Sequence, residues 1–331
     1  MKRALITSLL ILTAALLLSV AVGSASIAPA DWWNFLLGRG GADQEMLATI
    51  LFSLRLPRTL LVALSGAALA GSGAAYQGLF RNPLADPYLI GVAAGAGLGA
   101  VIAMSVRFPY GLAGLLAVPL AAFGGAVISV LLVYRLARHG HDLPTANLIL
   151  AGVAVSSFAT ALTSFLMLRA SGELRRALVW LLGGSTLSGW LPVLALLPYA
   201  ALGLGTLLTM GHALNVLQFG EEQAQQLGLP VARTRRIIII AATLTTAAAV
   251  SFTGVIGFVG LIVPHLVRLL WGSDYRRLLP LAMISGASLL LGADVLARVV
   301  LAPQEIPVGI ITALLGAPFF LWVLSQRGRP A

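Results

Sequence analysis

Apolar residues gather into ten blocks along the chain, and polar residues collect between them. The blocks are Ala4–Val22, Leu60–Tyr76, Leu89–Val106, Leu112–Val133, Ala146–Leu168, Leu191–Met210, Ile237–Phe252, Ile256–Trp271, Leu278–Val300 and Ile306–Leu324. A bilayer core takes roughly 20 apolar residues per helix, so each block predicts one span. The spans must be helices, because lipid offers backbone groups no partner outside their own segment. A shorter run, Leu178–Gly184, cannot span and predicts a re-entrant or interfacial helix. The expected fold class is all-α: a polytopic membrane protein with about ten transmembrane helices and a single transmembrane domain over 1–331.

Ten spans place both termini on one side of the membrane. With that side as the cytoplasm, the inner segments hold 13 of the 21 basic residues, Arg81, Arg135, Arg138, Arg233, Arg235 and Arg236 among them. The outer segments hold the other 8: Arg39, Arg55, Arg58, Arg107, Arg169, Arg175, Arg176 and Arg298. Basic residues favour the cytoplasmic face, so the expected orientation is N-in and C-in. An outer excess of this size suggests that some outer arginines have another task. The first span has a rival reading. Met1-Lys2-Arg3, an apolar run and the small residues of 24–30 resemble a secretory signal peptide. The run is long for that role, so its retention is expected.

Composition changes the picture in two places. With 59% hydrophobic and 10% charged residues and a mean hydropathy of +0.97, little chain remains for a soluble domain. Lys2 is the only lysine. A phosphate-binding loop of the G-x-x-x-x-G-K-[ST] type needs a lysine after its second glycine, so the chain has no P-loop. The net charge of +10 reads as arginines flanking spans rather than a nucleic-acid surface. No cysteine is present, which excludes disulfides and thiolate metal sites. Gly91, Gly95 and Gly99 recur every fourth residue, a spacing that lets helices approach closely.

Four polar segments interrupt the apolar background. One is Arg55-Leu-Pro-Arg58, followed by Gln77-Gly-Leu-Phe-Arg-Asn-Pro-Leu-Ala-Asp-Pro87. The second is Phe219-Gly-Glu-Glu-Gln-Ala-Gln-Gln-Leu-Gly228. The third is Gly254-Val-Ile-Gly-Phe-Val-Gly-Leu-Ile-Val-Pro-His-Leu-Val-Arg268, running on to Pro280. The fourth joins Asp294 and Arg298 to Pro303-Gln-Glu-Ile-Pro-Val-Gly309 and Gly316-Ala-Pro-Phe319. Together, in this order and over nearly the whole chain, they resemble the FecCD-type permeases. These are the membrane subunits of type II ATP-binding-cassette importers for iron-siderophores, haem and cobalamin. One departure is Val255, where the family commonly has proline; Gly254 and Gly257 still allow an irregular turn there.

The resemblance implies a homodimer of ten-helix subunits in the bacterial or archaeal cytoplasmic membrane. Two ATPase subunits would dock inside, and a substrate-binding protein would dock outside. ATP hydrolysis would lie in the partner, so neither catalytic residues nor a cofactor are expected here. Arg55, Arg58 and Arg298 correspond to an outer pocket for acidic residues of the binding protein, a role that suits the guanidinium fork. Snorkelling and an Asp294–Arg298 pair within one helix are the competing explanations. Gly220, Glu221, Glu222, Ala224, Leu227 and Gly228 correspond to a coupling helix for the ATPase. Glu221 and Glu222 should lie in its first turn, and Ala224 and Leu227, three apart, should share a face. A solvated connector is the alternative. Asn82, Leu84, Thr145 and Ala146 correspond to the cytoplasmic gate, with plain turn residues as the alternative.

His265 has no second histidine or carboxylate at helical spacing, so a structural hydrogen-bonding role is expected rather than a metal ligand. His139, His141 and Asp142 read as a solvated loop. A secondary transporter driven by an ion gradient is the alternative function. It needs ionisable residues near mid-membrane, whereas Asp294 and Arg298 are expected near the outer end of their span. An intramembrane enzyme would need a paired nucleophile and base, and none is evident. The cargo itself is not specified by the sequence.

Overall fold

A computed structural model describes residues 2–24, 27–28, 30, 33, 37, 43–106, 111–138, 144–169, 174–184 and 188–327. The helices in chain order are α1 (Lys2–Ala21), α2 (Asp43–Thr49), α3 (Leu56–Leu79), α4 (Val92–Met104), α5 (Leu112–Ala137), α6 (Thr145–Arg169), α7 (Leu174–Leu181), α8 (Trp190–Thr209), α9 (Gly211–Leu217), α10 (Glu221–Gln226), α11 (Val231–Thr253), α12 (Val259–Trp271), α13 (Tyr275–Val299) and α14 (Val308–Arg327). No strand occurs among the described residues. Seven helical stretches are long and apolar enough to cross a membrane, and Val92–Met104, Val259–Trp271 and Val308–Val323 are shorter apolar helices. These coincide with the ten predicted blocks.

The second block begins earlier than its hydropathy suggests. Helix α2 continues through a π-helical turn, Ile50–Arg55, into α3, giving one helical run over Gln44–Leu79. Pro57 explains the irregularity. It has no N–H, so upstream carbonyls lose their usual donor. The indole Nε1 of Trp190 supplies one, donating to the Phe52 carbonyl at 2.9 Å.

Two spans are too short to cross alone. Helices α4 and α12 have 13 residues each, about 20 Å at 1.5 Å per residue, against a core of about 30 Å. Irregular backbone completes both crossings, and such backbone is tolerated only where protein covers it. Before α4 stands a 3₁₀ turn, Pro87–Ile90, and before α12 the non-helical stretch 254–258. They satisfy each other: the Tyr88 hydroxyl donates to the Ile256 carbonyl at 2.8 Å and accepts from the Ile256 N–H at 3.2 Å. The short helix α7 tucks its buried Trp180 beside them, and the Val255 N–H donates to the Trp180 carbonyl at 3.4 Å. The short run read as re-entrant or interfacial is thus a helix, beginning four residues and ending three residues earlier than predicted.

The core is a large apolar cluster with residues from most of the helices and a smaller one where α3, α8 and α11 meet. Helices α3 and α13 form its most extensive pair among the described residues. Glycine permits it: a Cβ on Gly66 would overlap the Gly286 carbonyl, and one on Gly286 would overlap Ala70. Helix α1 packs against α13 and α3 as part of the same bundle.

Candidate functional sites at the two membrane faces

At one end of the bundle α1 finishes, α3 and α14 begin and α13 finishes. Here the fold brings Arg55, Arg58 and Arg298 around one cavity of about 470 Å³, together with Asp294 and Glu305. The three arginines do different things. Arg298 is 3% exposed. Its Nη1 donates to the Ser19 and Val22 carbonyls at 3.2 and 2.7 Å, and its Nη2 donates to Ser19 Oγ at 3.0 Å. Arg55 Nη1 donates to the Val20 and Ala21 carbonyls at 3.0 and 2.8 Å. The last carbonyls of a helix lack intrahelical donors, and cations favour that end of the helix dipole. Arg55 and Arg298 therefore cap the C-terminus of α1.

Arg58 is the arginine that looks outward, with 35% of its side chain exposed. Its Nη2 and Nε lie 2.9 and 3.1 Å from Asp294 Oδ1, and its Nη1 lies 2.6 Å from Glu305 Oε2. The Asp294–Arg298 pair expected from their spacing is present at 3.0 Å, so Asp294 is shared by two arginines. Burial works to raise the Glu305 pKa, but Arg58 beside it holds the carboxyl below its ordinary value.

At the opposite end lies the polar connector. Helix α10 runs between Gly220 and Gly228, which adopt φ of 108° and 83°, conformations that favour glycine. Glu221 and Glu222 occupy its first turn as expected, and Glu221 pairs with Arg235. The shared apolar face predicted for Ala224 and Leu227 is not formed. Ala224 is fully buried and belongs to the apolar core, whereas Leu227 is 67% exposed. Leu227 keeps helical register as the C-cap, its N–H donating to the Gln223 carbonyl at 3.0 Å, but its side chain lies on the exposed side of this short helix. Phe219, ahead of the helix, is likewise exposed, at 66%.

Short helix α9 ties this connector to the bundle. Asn215 Nδ2 donates to Asp274 Oδ1 at 2.6 Å, and Asn215 Oδ1 accepts from the Tyr275 N–H at 2.8 Å. Gln218 Nε2 donates to the Gly78 and Leu214 carbonyls, both at 2.9 Å. Asp274 also caps α13 by accepting from the Arg276 N–H. Hydrogen bonds from the Arg276 side chain and from Asn215 pull the Asp274 carboxyl down to about 2.

Of the gate residues, Asn82 builds the turn after α3: its Oδ1 accepts from the Leu84 N–H at 2.9 Å, and its carbonyl accepts from the Ala85 N–H at 3.0 Å. Leu84 and Thr145 are half-buried and Ala146 is exposed at the start of α6. The segment after the Asn82 turn packs on α6, and a Cβ on Gly152 would strike the Leu89 carbonyl. The ring of His265 lies edge-on to Phe319 at 5.9 Å. Among the described residues no group of three His, Cys, Asp or Glu forms a metal site. Arg39, Arg107, His139, His141, Asp142 and Arg329 lie outside the described residues. Sequence reasoning assigned no role to Asn215, Gln218 or Glu305. Asn215 and Gln218 follow an apolar run and look like ordinary loop polarity, and only their partners reveal them.

The FecCD transport family model matches residues 10–326. The chain belongs to the FecCD transport family. It is 48% identical over 283 residues to the cobalamin import system permease protein BtuC of Halobacterium salinarum, covering 86% of this chain and 75% of that one. It is 40% identical to the ABC transporter permease protein YvrB of Bacillus subtilis, covering 96% and 92% of the two chains. The vitamin B12 import system permease protein BtuC of Escherichia coli O157:H7 is 41% identical, covering 95% and 92%. Among solved structures, a metal-chelate type ABC transporter in an inward-facing conformation superposes with a TM-score of 0.87 at 31% identity, covering 98% and 100% of the chains. This FecCD member is therefore the membrane-spanning permease subunit of an ABC importer. Permeases of this family pair with ATPase and substrate-binding proteins.

Proposed function

We propose that this permease forms, as a homodimer with N-in and C-in topology, the pathway for a corrinoid or related metal chelate. Each copy contributes one transmembrane domain over 1–331. A substrate-binding protein delivers the cargo at the Arg58 end, and two ATPase subunits engage the α10 connector at the other. The observation that carries this reading is the separation of two unlike polar sites on one bundle. An arginine-rich cavity suits acidic side chains, and a glycine-bounded helix with exposed Phe219 and Leu227 suits a cleft in a soluble partner. The two cobalamin permeases similar over most of the chain support the corrinoid class of cargo. Asn82, Leu84, Thr145 and Ala146 serve as the cytoplasmic gate in this reading.

The test is uptake of labelled cyanocobalamin into proteoliposomes holding the permease and its ATPase, with binding protein on the outer side. Uptake should require both partners and ATP. A haem or ferric siderophore taken up in place of cyanocobalamin would overturn the corrinoid assignment. Uptake without either partner would overturn the importer reading.

A further inference from the structure

The two polar sites stand at opposite ends of the same helix pair. Arg58 belongs to α3, and Asp294 and Arg298 belong to α13. Between them Gly66 and Gly286 bring the two backbones into direct contact. Small residues at such a crossing let helices pack with little slack, so α3 and α13 behave as one bar spanning the membrane. At its inner end the bar meets α9, and the meeting is specific. Asn215 spends both ends of its amide on the cap of α13, one on Asp274 Oδ1 and one on the Tyr275 N–H. Gln218 bonds the last turn of α3 through the Gly78 carbonyl. A Cβ on Gly211 would come within 3.0 Å of the Arg276 Cα, so the backbones of α9 and α13 also touch. The connector follows within two residues of Gln218.

We infer that Asn215 is a positioning residue that joins the α10 connector to the α3–α13 bar, so that binding-protein docking outside and ATPase movement inside are mechanically one event. This deepens the proposed importer reading and rests on it. Among the described residues Asn215 makes the side-chain hydrogen bonds between α9 and the start of α13, and without them the van der Waals contact left at Gly211 allows the sliding that a bidentate amide prevents. Gln218 holds the α3 side by the same logic, but through a single Nε2 that also donates to Leu214 of its own helix, so Asn215 is the stiffer of the two.

The experiment uses the complete complex of permease, ATPase and binding protein in nanodiscs and reads the stimulation of ATP hydrolysis by added binding protein. Asn215→Leu keeps the branched four-atom shape of the side chain and removes both hydrogen bonds. It should cut that stimulation about fivefold or more, the lower end of ordinary coupling between sites, with the ATPase still bound at full stoichiometry. Asp274→Ala removes the same bridge from its other side and should cut stimulation to a similar extent. Asn215→Leu combined with Asp274→Ala should fall no further than either variant alone, because both act through one bridge, and additive losses would overturn the inference. Stimulation by Asn215→Leu within twofold of the unaltered complex would overturn the inference. So would release of the ATPase by Asn215→Leu, because the residue would then build the dock rather than transmit through it. An unaltered complex that shows no stimulation would instead remove the importer reading beneath it.

Discussion

Arg298 and Arg58 share Asp294 yet stand in different environments, and the difference decides what each substitution does. Arg298 is buried, caps α1 and pairs with a buried carboxylate. Without Arg298 the Asp294 carboxylate keeps Arg58, but the carbonyls at the end of α1 lose a buried donor, at about 1–3 kcal/mol for each group left unpaired. Arg298→Met should therefore lower the melting temperature of the detergent-solubilised permease, whether or not the binding protein is present. Arg58→Met leaves Asp294 with its Arg298 partner, so melting should change little. Under the proposed docking role its partly exposed side chain is the one offered to a carboxylate of the binding protein, so affinity for that protein should fall, most visibly at low salt. Equal melting losses in both variants would remove the distinction. Asp274 is a second informative residue. Its folded pKa of about 2 lies below the free carboxylate value of about 3.9. The contribution of this depressed group is complete above the free value and is lost as pH falls through about 2. The melting gap between unaltered protein and Asp274→Ala should hold steady from pH 7 to 5 and shrink only in strong acid.

At the scale of elements, α10 shows why a helix this short cannot be read as a complete amphipathic face. Its six residues make under two turns, and Leu227 already stands at its C-cap. Ala224 then serves the core, while Phe219 and Leu227 flank the helix and face outward. Phe219→Asp with Leu227→Asp should release the ATPase and leave the permease folded, as read by co-purification and by gel filtration of the remaining complex. Ala224→Asp should fail differently. A carboxylate forced among apolar neighbours has no partner, so the permease itself should express poorly. Retention of the ATPase at full stoichiometry by the double variant would falsify the docking role of this connector.

For the whole molecule the question is where the energy enters. Lys2 is the single lysine, so no P-loop exists in this chain. The α3–α13 bar and the α9 bridge transmit force but supply none. The permease alone in proteoliposomes should neither hydrolyse ATP nor accumulate cyanocobalamin under an imposed proton gradient. Adding the ATPase and binding protein should start uptake, and changing the P-loop lysine of the ATPase should stop it. Accumulation by the permease alone that a protonophore collapses would move the protein to the secondary transporters.

The sequence by itself determined the ten spans, the all-helical class and the lack of a P-loop, because each follows from local composition. Hydropathy over about 20 residues and the presence or absence of one lysine need no knowledge of the fold. The spaced polar segments also carried the family resemblance, and Glu221, Glu222 and the Asp294–Arg298 pair lay where their local spacing put them. What local spacing did not contain was partnership at a distance. The helical stretch ahead of α3 fell outside the predicted block, and it is Trp190, far along the chain, that supplies the donor Pro57 lacks. Arg55, Arg58 and Arg298 read alike as outer arginines until α1 presents its last carbonyls to two of them. Asn215 became visible only beside Asp274, 59 residues away. A buried hydrogen bond is a property of two groups and the water excluded around them, and only the tertiary structure decided which groups met.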